Sequence, residues 1–169
     1  MKEIKNYIYS EITESLISEC KQDLIRLYQD INYIKDGLPQ QTLNILFNDT
    51  SPVWNHNWKI LRDTFMSSMY CYTNSDYANY KAWTYTCFPK TEALHTNWHN
   101  HPNSRYSGIL YISLPNGANT TEFMCDETNT IFLPNCVGSW FIFDSTAVHR
   151  PGAWDSNIND YRFCLWVEF

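Results

Sequence analysis

Read residue by residue, the chain is a mainly β protein fronted by two helices. Three observations lead there. Apolar residues recur every third or fourth position in two stretches within the first 75 residues. From residue 81 the pattern changes to short runs rich in aromatic and β-branched residues, alternating inward and outward. Pro, Asn and Gly clusters punctuate those runs. At 169 residues the expectation is one domain, with 1–75 as mainly helical support and 81–169 as the β core.

The first helix spans about residues 11–35, with Ile12, Leu16, Cys20, Leu24, Leu27 and Ile31 on one face, until Gly37 and Pro39 stop it. The second carries Trp54, Trp58, Leu61, Phe65 and Met69 on its apolar face, behind a Ser51 N-cap and Pro52. Strands are expected at Ala82–Phe88, Ser107–Leu114, Thr130–Leu133, Gly138–Phe143 and Tyr161–Phe169. Many short strands with this punctuation point to a sandwich or barrel, the helices covering one sheet.

A period of two splits each long strand into faces. In the last strand Phe163, Leu165, Val167 and Phe169 form an apolar face, against Arg162, Cys164, Trp166 and Glu168. In Ser107–Leu114 the apolar face is Leu110, Ile112 and Leu114, and the mixed face is Ser107, Ile109, Tyr111 and Ser113. The apolar faces belong under the helices. The mixed faces belong in the mouth of a barrel, where aromatics and a few polar groups make a ligand pocket.

Composition removes several classes of function. Twelve Lys and Arg against eighteen Asp and Glu give a net charge of −6, which disfavours a grip on nucleic-acid phosphates. Aromatic content of 17% is too high for a disordered chain. No apolar run reaches bilayer-spanning length, and the first twenty residues are too charged for a signal peptide. Six cysteines without a Cys-x-x-Cys pair read as reduced, mostly buried thiols. The expectation is a cytoplasmic protein with an aromatic-rich surface compatible with a homodimer.

Histidine is the informative residue. Of five, three fall within Leu94–His101. On an extended segment His99 and His101 project from the same face and can converge on one metal ion, with His149 joining from a later strand end. Imidazole ligands suit iron, zinc, copper and nickel alike, so spacing leaves the metal open. His95 reads as a supporting partner, a substrate contact or polar surface, and His56 as helix surface.

Two stretches carry a family resemblance. WHNHPNSRYSGILYISLP resembles the His-x-His-Pro…Ser-Gly-x-x-Tyr segment of 2-oxoglutarate- and iron(II)-dependent oxygenases, and PNCVGSWFIFDSTAVHRPG resembles their downstream Pro…Gly…Phe…His pattern. The closing DYRFCLWVEF is similar to their Arg-bearing last strand, so the resemblance covers about residues 81–169. It implies a double-stranded β-helix, a cupin-like jelly roll with two N-terminal helices packed on one sheet. It makes His99, His101 and His149 the iron ligands. Arg162 becomes the anchor for the distal carboxylate of 2-oxoglutarate, and Tyr111, inward-facing by strand alternation, is a candidate hydroxyl donor to the same group. Tyr111 reads equally as an aromatic filling the barrel.

The family commonly uses two histidines and one carboxylate, where this sequence offers Asn100 and His101. His101 ranks first as third ligand. Glu122 and Asp144 are the substitutes, and Asp144 is alternatively a hydrogen-bond acceptor for a ligand imidazole. The resemblance implies oxidative decarboxylation of 2-oxoglutarate coupled, with dioxygen, to hydroxylation of a small-molecule or protein substrate. Trp83, Trp98, Trp140, Trp154 and Trp166 are candidates for keeping the centre dry. Two other readings stay open: a cupin-type metalloenzyme that has no use for Arg162, and a barrel that binds without catalysis.

Overall fold

The computed structural model describes residues 3–30, 56–76, 80–89 and 97–169. Gly37, Pro39, Ser51, Pro52, Trp54 and His95 lie outside the described residues, as does the segment 90–96. Within them are two helices, α1 (Glu14–Asp30) and α2 (His56–Thr73), and eight strands. The strands are β1 (Lys5–Tyr7), β2 (Lys81–Cys87), β3 (Tyr106–Ser113), β4 (Glu122–Met124), β5 (Thr130–Phe132), β6 (Trp140–Asp144), β7 (His149–Arg150) and β8 (Arg162–Glu168).

The helix ends follow local chemistry. Thr13 caps α1, its hydroxyl accepting from the Leu16 amide at 3.1 Å, with Glu14 in the first turn. The helix therefore begins at Glu14, three residues later than its apolar pattern. α2 stops where Asn74 turns left-handed (φ 55°), its amide reaching back to Tyr70 O at 2.7 Å.

Two antiparallel sheets result. One has five strands in the order β1-β6-β3-β8-β2, the other three in the order β5-β4-β7. On one face of the large sheet Leu110, Ile112, Ile142, Phe163, Leu165 and Val167 bury against Leu16, Cys20 and Leu24 of α1 and Trp58, Leu61, Phe65 and Met69 of α2. Gly108 permits the closest approach, since a Cβ there would stand 2.7 Å from the Phe65 ring. The ring of Phe65 in turn packs on Trp140 at 4.7 Å and Phe169 at 5.4 Å.

The opposite face of the same strands carries Ile109, Tyr111, Phe141, Phe143, Cys164 and Trp166, joined by Phe123 and Leu133. The alternation expected for β8 holds along its length. In β3 it fails at the end: the register against β8 shifts between Tyr111 and Ser113, so Ser113 pairs with Phe163 of the helix-side face, and Leu114, just past the strand, packs with the second core. A bulge of this kind exchanges the two faces beyond it. Trp140 sits on the helix side, donating to Thr64 Oγ1 at 3.2 Å, and so takes no part in the pocket.

All six cysteines are free. Cys20, Cys87 and Cys164 are buried, Cys71 is exposed, and Cys125 and Cys136 are half-buried. Among the described residues no helix is long and apolar enough to cross a membrane.

Candidate metal centre

The segment before β3 is extended and strapped to β7. His99 and His149 exchange backbone hydrogen bonds of 3.0 and 2.9 Å, and the His101 amide donates to Ser145 O at 2.9 Å. An extended segment puts residues two apart on one face, so His99 and His101 turn together towards His149. One ring nitrogen from each of the three lies within 4.8 Å of the others. His149 is buried, His101 half-buried and His99 exposed, so the cluster opens to solvent on one side.

Each ring is oriented by its far nitrogen. Nδ1 of His99 meets Asn97 O at 2.9 Å and Nδ1 of His149 meets Ala147 O at 2.8 Å. Nδ1 of His101 is paired with Glu168 Oε1. With a proton on each Nδ1, the three Nε2 atoms keep their lone pairs. Nε2 of His101 and Nε2 of His149 stand 3.2 Å apart. Two nitrogens that close share either a proton or a cation, and 3.2 Å is comfortably spanned by two metal–nitrogen bonds of about 2.1 Å. The donor set fits a first-row divalent metal.

Burial pushes the His149 imidazolium down to about 4, opposed by the bond to Ala147 and reinforced by His99 and His101. The ring is thus neutral, the form that binds metal. Burial raises the Glu168 carboxyl, but the His101 bond and charge, Ser104 and Trp166 outweigh it and leave it below its ordinary value. Trp166 stacks on His149 at 5.0 Å and lies 5.4 Å from His101. Phe123 and Phe143 close the other flank of His149 at 5.5 and 5.8 Å.

A cavity of about 130 Å³ runs from the three histidines past Trp166, Cys164, Ile109 and Tyr111 to Arg162. That is roughly ten times the space one water needs. Arg162 is 1% exposed. Its Nη1 donates to Asn119 O at 2.6 Å and Gly152 O at 2.9 Å, and Nη2 donates to Cys87 Sγ at 3.1 Å. Nε is buried with no partner among the described residues. Tyr85 and Trp154 flank the guanidinium at 5.5 and 5.4 Å. No carboxylate neutralises this cation in the contacts described, and the orphaned donor is suited to an anionic ligand.

Tyr111 lines the same cavity. Its oxygen accepts from the Thr121 amide at 2.7 Å and shares a hydrogen bond with Thr121 Oγ1 at 2.8 Å. Burial pushes its phenol well above the ordinary value, so it stays protonated and able to donate.

The substitute carboxylates are placed elsewhere. Glu122 accepts from Arg150 Nε at 2.8 Å and from Thr130 Oγ1 at 2.7 Å. Asp144 accepts from the Thr146 amide at 3.0 Å at the β6–β7 turn. Neither belongs to the cluster. The acceptor for a ring Nδ1 is Glu168 instead of Asp144, a residue that period-two alternation put on the pocket face without revealing its partner. Of the tryptophans, Trp83 and Trp166 line the cavity. Trp98 instead stacks under the Arg150 guanidinium at 4.2 Å, and Trp154 donates to Phe88 O at 3.0 Å. His56 opens α2.

No protein-family model and no curated protein sequence matches this chain. Solved structures do match it along nearly its whole length. A prolyl-4-hydroxylase from Pseudomonas putida has a TM-score of 0.63 at 11% identity, covering 100% of this chain and 93% of its own. A prolyl hydroxylase from Trichoplax adhaerens, in complex with a hypoxia inducible factor oxygen degradation domain peptide fragment, has a TM-score of 0.68 at 11% identity over 99% and 83%. An oxidoreductase of the 2OG-Fe(II) oxygenase family from Burkholderia pseudomallei has a TM-score of 0.53 at 9% identity over 92% and 90%. The chain has the fold of the 2OG-Fe(II) oxygenases. At these identities the likeness is one of fold.

Proposed function

We propose that this protein is a non-haem iron(II) oxygenase that couples oxidative decarboxylation of 2-oxoglutarate to hydroxylation of a small-molecule or peptide substrate. In this reading the two sheets are the halves of a double-stranded β-helix, a single domain with the helices as support. His99, His101 and His149 hold the iron. Arg162 grips the distal carboxylate, with Tyr111 donating to the same group. One observation carries the reading: a buried guanidinium, its Nε without a partner among the described residues, shares one cavity with three converging imidazoles.

Bound iron with 2-oxoglutarate and dioxygen supplies the oxidising chemistry; the side chains bind, orient and shield. Arg162 matches a carboxylate in charge and shape, and its low-dielectric surroundings strengthen the pair. Trp166, Phe123 and Phe143 exclude water behind His149. The exposed edge at His99 is the approach left for a substrate. The peptide held by the Trichoplax neighbour supports an acceptor of that kind.

Anaerobic titration with iron(II) and 2-oxoglutarate tests the reading. A visible charge-transfer absorption should appear only when both are present, and should vanish when any one of the three histidines is replaced by Ala. Arg162→Ala should weaken 2-oxoglutarate binding by about thirtyfold or more, as expected for one lost partner of a buried charge pair. Iron binding without this dependence on 2-oxoglutarate and Arg162 would identify a cupin-type centre. Absence of iron binding would leave a barrel that binds without catalysis.

A further inference from the structure

We propose that Glu168, acting through His101, supplies the negative charge of the metal centre, so that the Glu168–His101 pair works as one anionic ligand. This rests on the reading of the three histidines as a metal centre. Three neutral imidazoles leave both charges of a divalent ion uncompensated, in a pocket walled by Trp166, Phe123 and Phe143. Such a charge is costly to bury without an anion near it. Of the three Nδ1 atoms, those of His99 and His149 rest on neutral backbone carbonyls, and only that of His101 rests on a carboxylate. A carboxylate on Nδ1 makes Nε2 a more basic donor and passes part of its charge to the metal.

The local sequence is built to hold this carboxylate. His101-Pro102-Asn103-Ser104 forms a tight turn, closed by Ser104 N–H on His101 O at 3.0 Å, with Pro102 presetting its first bend. The turn brings two side chains onto one acid. His101 takes Oε1, while Ser104 Oγ donates to Oε2 at 2.9 Å. Glu168 is set opposite by β8, where it pairs with Ser107 of β3 on one side and Lys81 of β2 on the other. Its side chain is 12% exposed. Glu122 and Asp144 are engaged outside the cluster, so Glu168 is the carboxylate in contact with it among the described residues.

Cobalt(II) is the probe, read by binding affinity and by the shifted exchangeable Nδ1–H proton resonances of the ligand histidines. Glu168→Gln should lower cobalt affinity about 10- to 100-fold and move one of three such resonances. A second background separates this role from a structural one. With His101→Asp the anion sits on the metal itself, so adding Glu168→Gln there should change affinity by less than about threefold. Equal losses in both backgrounds, or a folded Glu168→Gln protein within about threefold of wild type, overturn the inference. Should Glu168→Gln not fold, Ser104→Ala replaces it: freeing one carboxylate oxygen should cost about two- to fivefold, and no loss overturns the inference. A wild-type protein that takes up no cobalt overturns the metal centre itself, and this role with it.

Discussion

Arg162 donates from Nη1 to Gly152 O at 2.9 Å, and Gly152 is a position where no side chain fits. A Cβ there would stand 2.1 Å from Thr120 O and 2.6 Å from Asn119 Cβ. Asn119 O is the other acceptor on the same Nη1. The glycine therefore lets two chain segments close on one guanidinium. Gly152→Ala should push them apart, costing about 1–3 kcal/mol of stability as other overpacked sites do. It should weaken 2-oxoglutarate binding while leaving cobalt affinity near wild type. An unchanged melting temperature would refute the close approach.

Tyr111→Phe separates two roles for one ring. Loss of the hydroxyl leaves the Thr121 amide without its acceptor, a buried polar group worth about 1–3 kcal/mol. If the phenol also donates to the cosubstrate, 2-oxoglutarate affinity falls with stability. A loss of stability with unchanged affinity would make Tyr111 a structural ring only. Calorimetric titration and thermal melts of the same samples decide.

Thiol reactivity follows burial. Desolvation pushes Cys20 and Cys164 up to about 12 and raises Cys87 despite the adjacent Arg162. At pH 8 these three should resist a disulfide reagent until the protein unfolds, whereas exposed Cys71 should react first. Rapid native-state modification of Cys164 would mean that the cavity opens far more widely than its walls indicate.

The β4–β5 turn should keep its form in acid. Hydrogen bonds from the Asn129 side chain, the Thr128 amide and hydroxyl and the Asn129 amide hold Asp126 at about 2, against a small opposing effect of burial. A depressed carboxyl stabilises the turn fully above its ordinary value near 4, and this is lost only as pH falls towards 2. The Thr128 and Asn129 amide shifts should titrate with a midpoint near 2. A midpoint near 4 would show that the turn bonds are not formed in solution.

Most of the large sheet could be read from residue order, because β2, β3, β6 and β8 are long enough to display a period of two. The same period put Arg162, Cys164, Trp166 and Glu168 on one face and brought His99 and His101 together. β1, β4 and β7 could not be read, being two or three residues long and held by partners far along the chain. The bulge after Tyr111 carries no Gly or Pro to announce it. Nor does anything near Glu168 name its partner, since His101 precedes it by 67 positions and meets it only after β3 and β8 pair.

The two faces of β8 impose a reading frame on the protein. Arg162, Cys164, Trp166 and Glu168 alternate with Phe163, Leu165 and Val167 along seven residues. Deleting or inserting one residue within that strand would exchange the two sets on one side of the change. Whichever end lost its register would carry the guanidinium or the carboxylate under the helices and turn Phe163 or Val167 towards the cavity. Point substitutions can therefore alter this cavity one group at a time, whereas a single-residue length change exchanges pocket and core residues together.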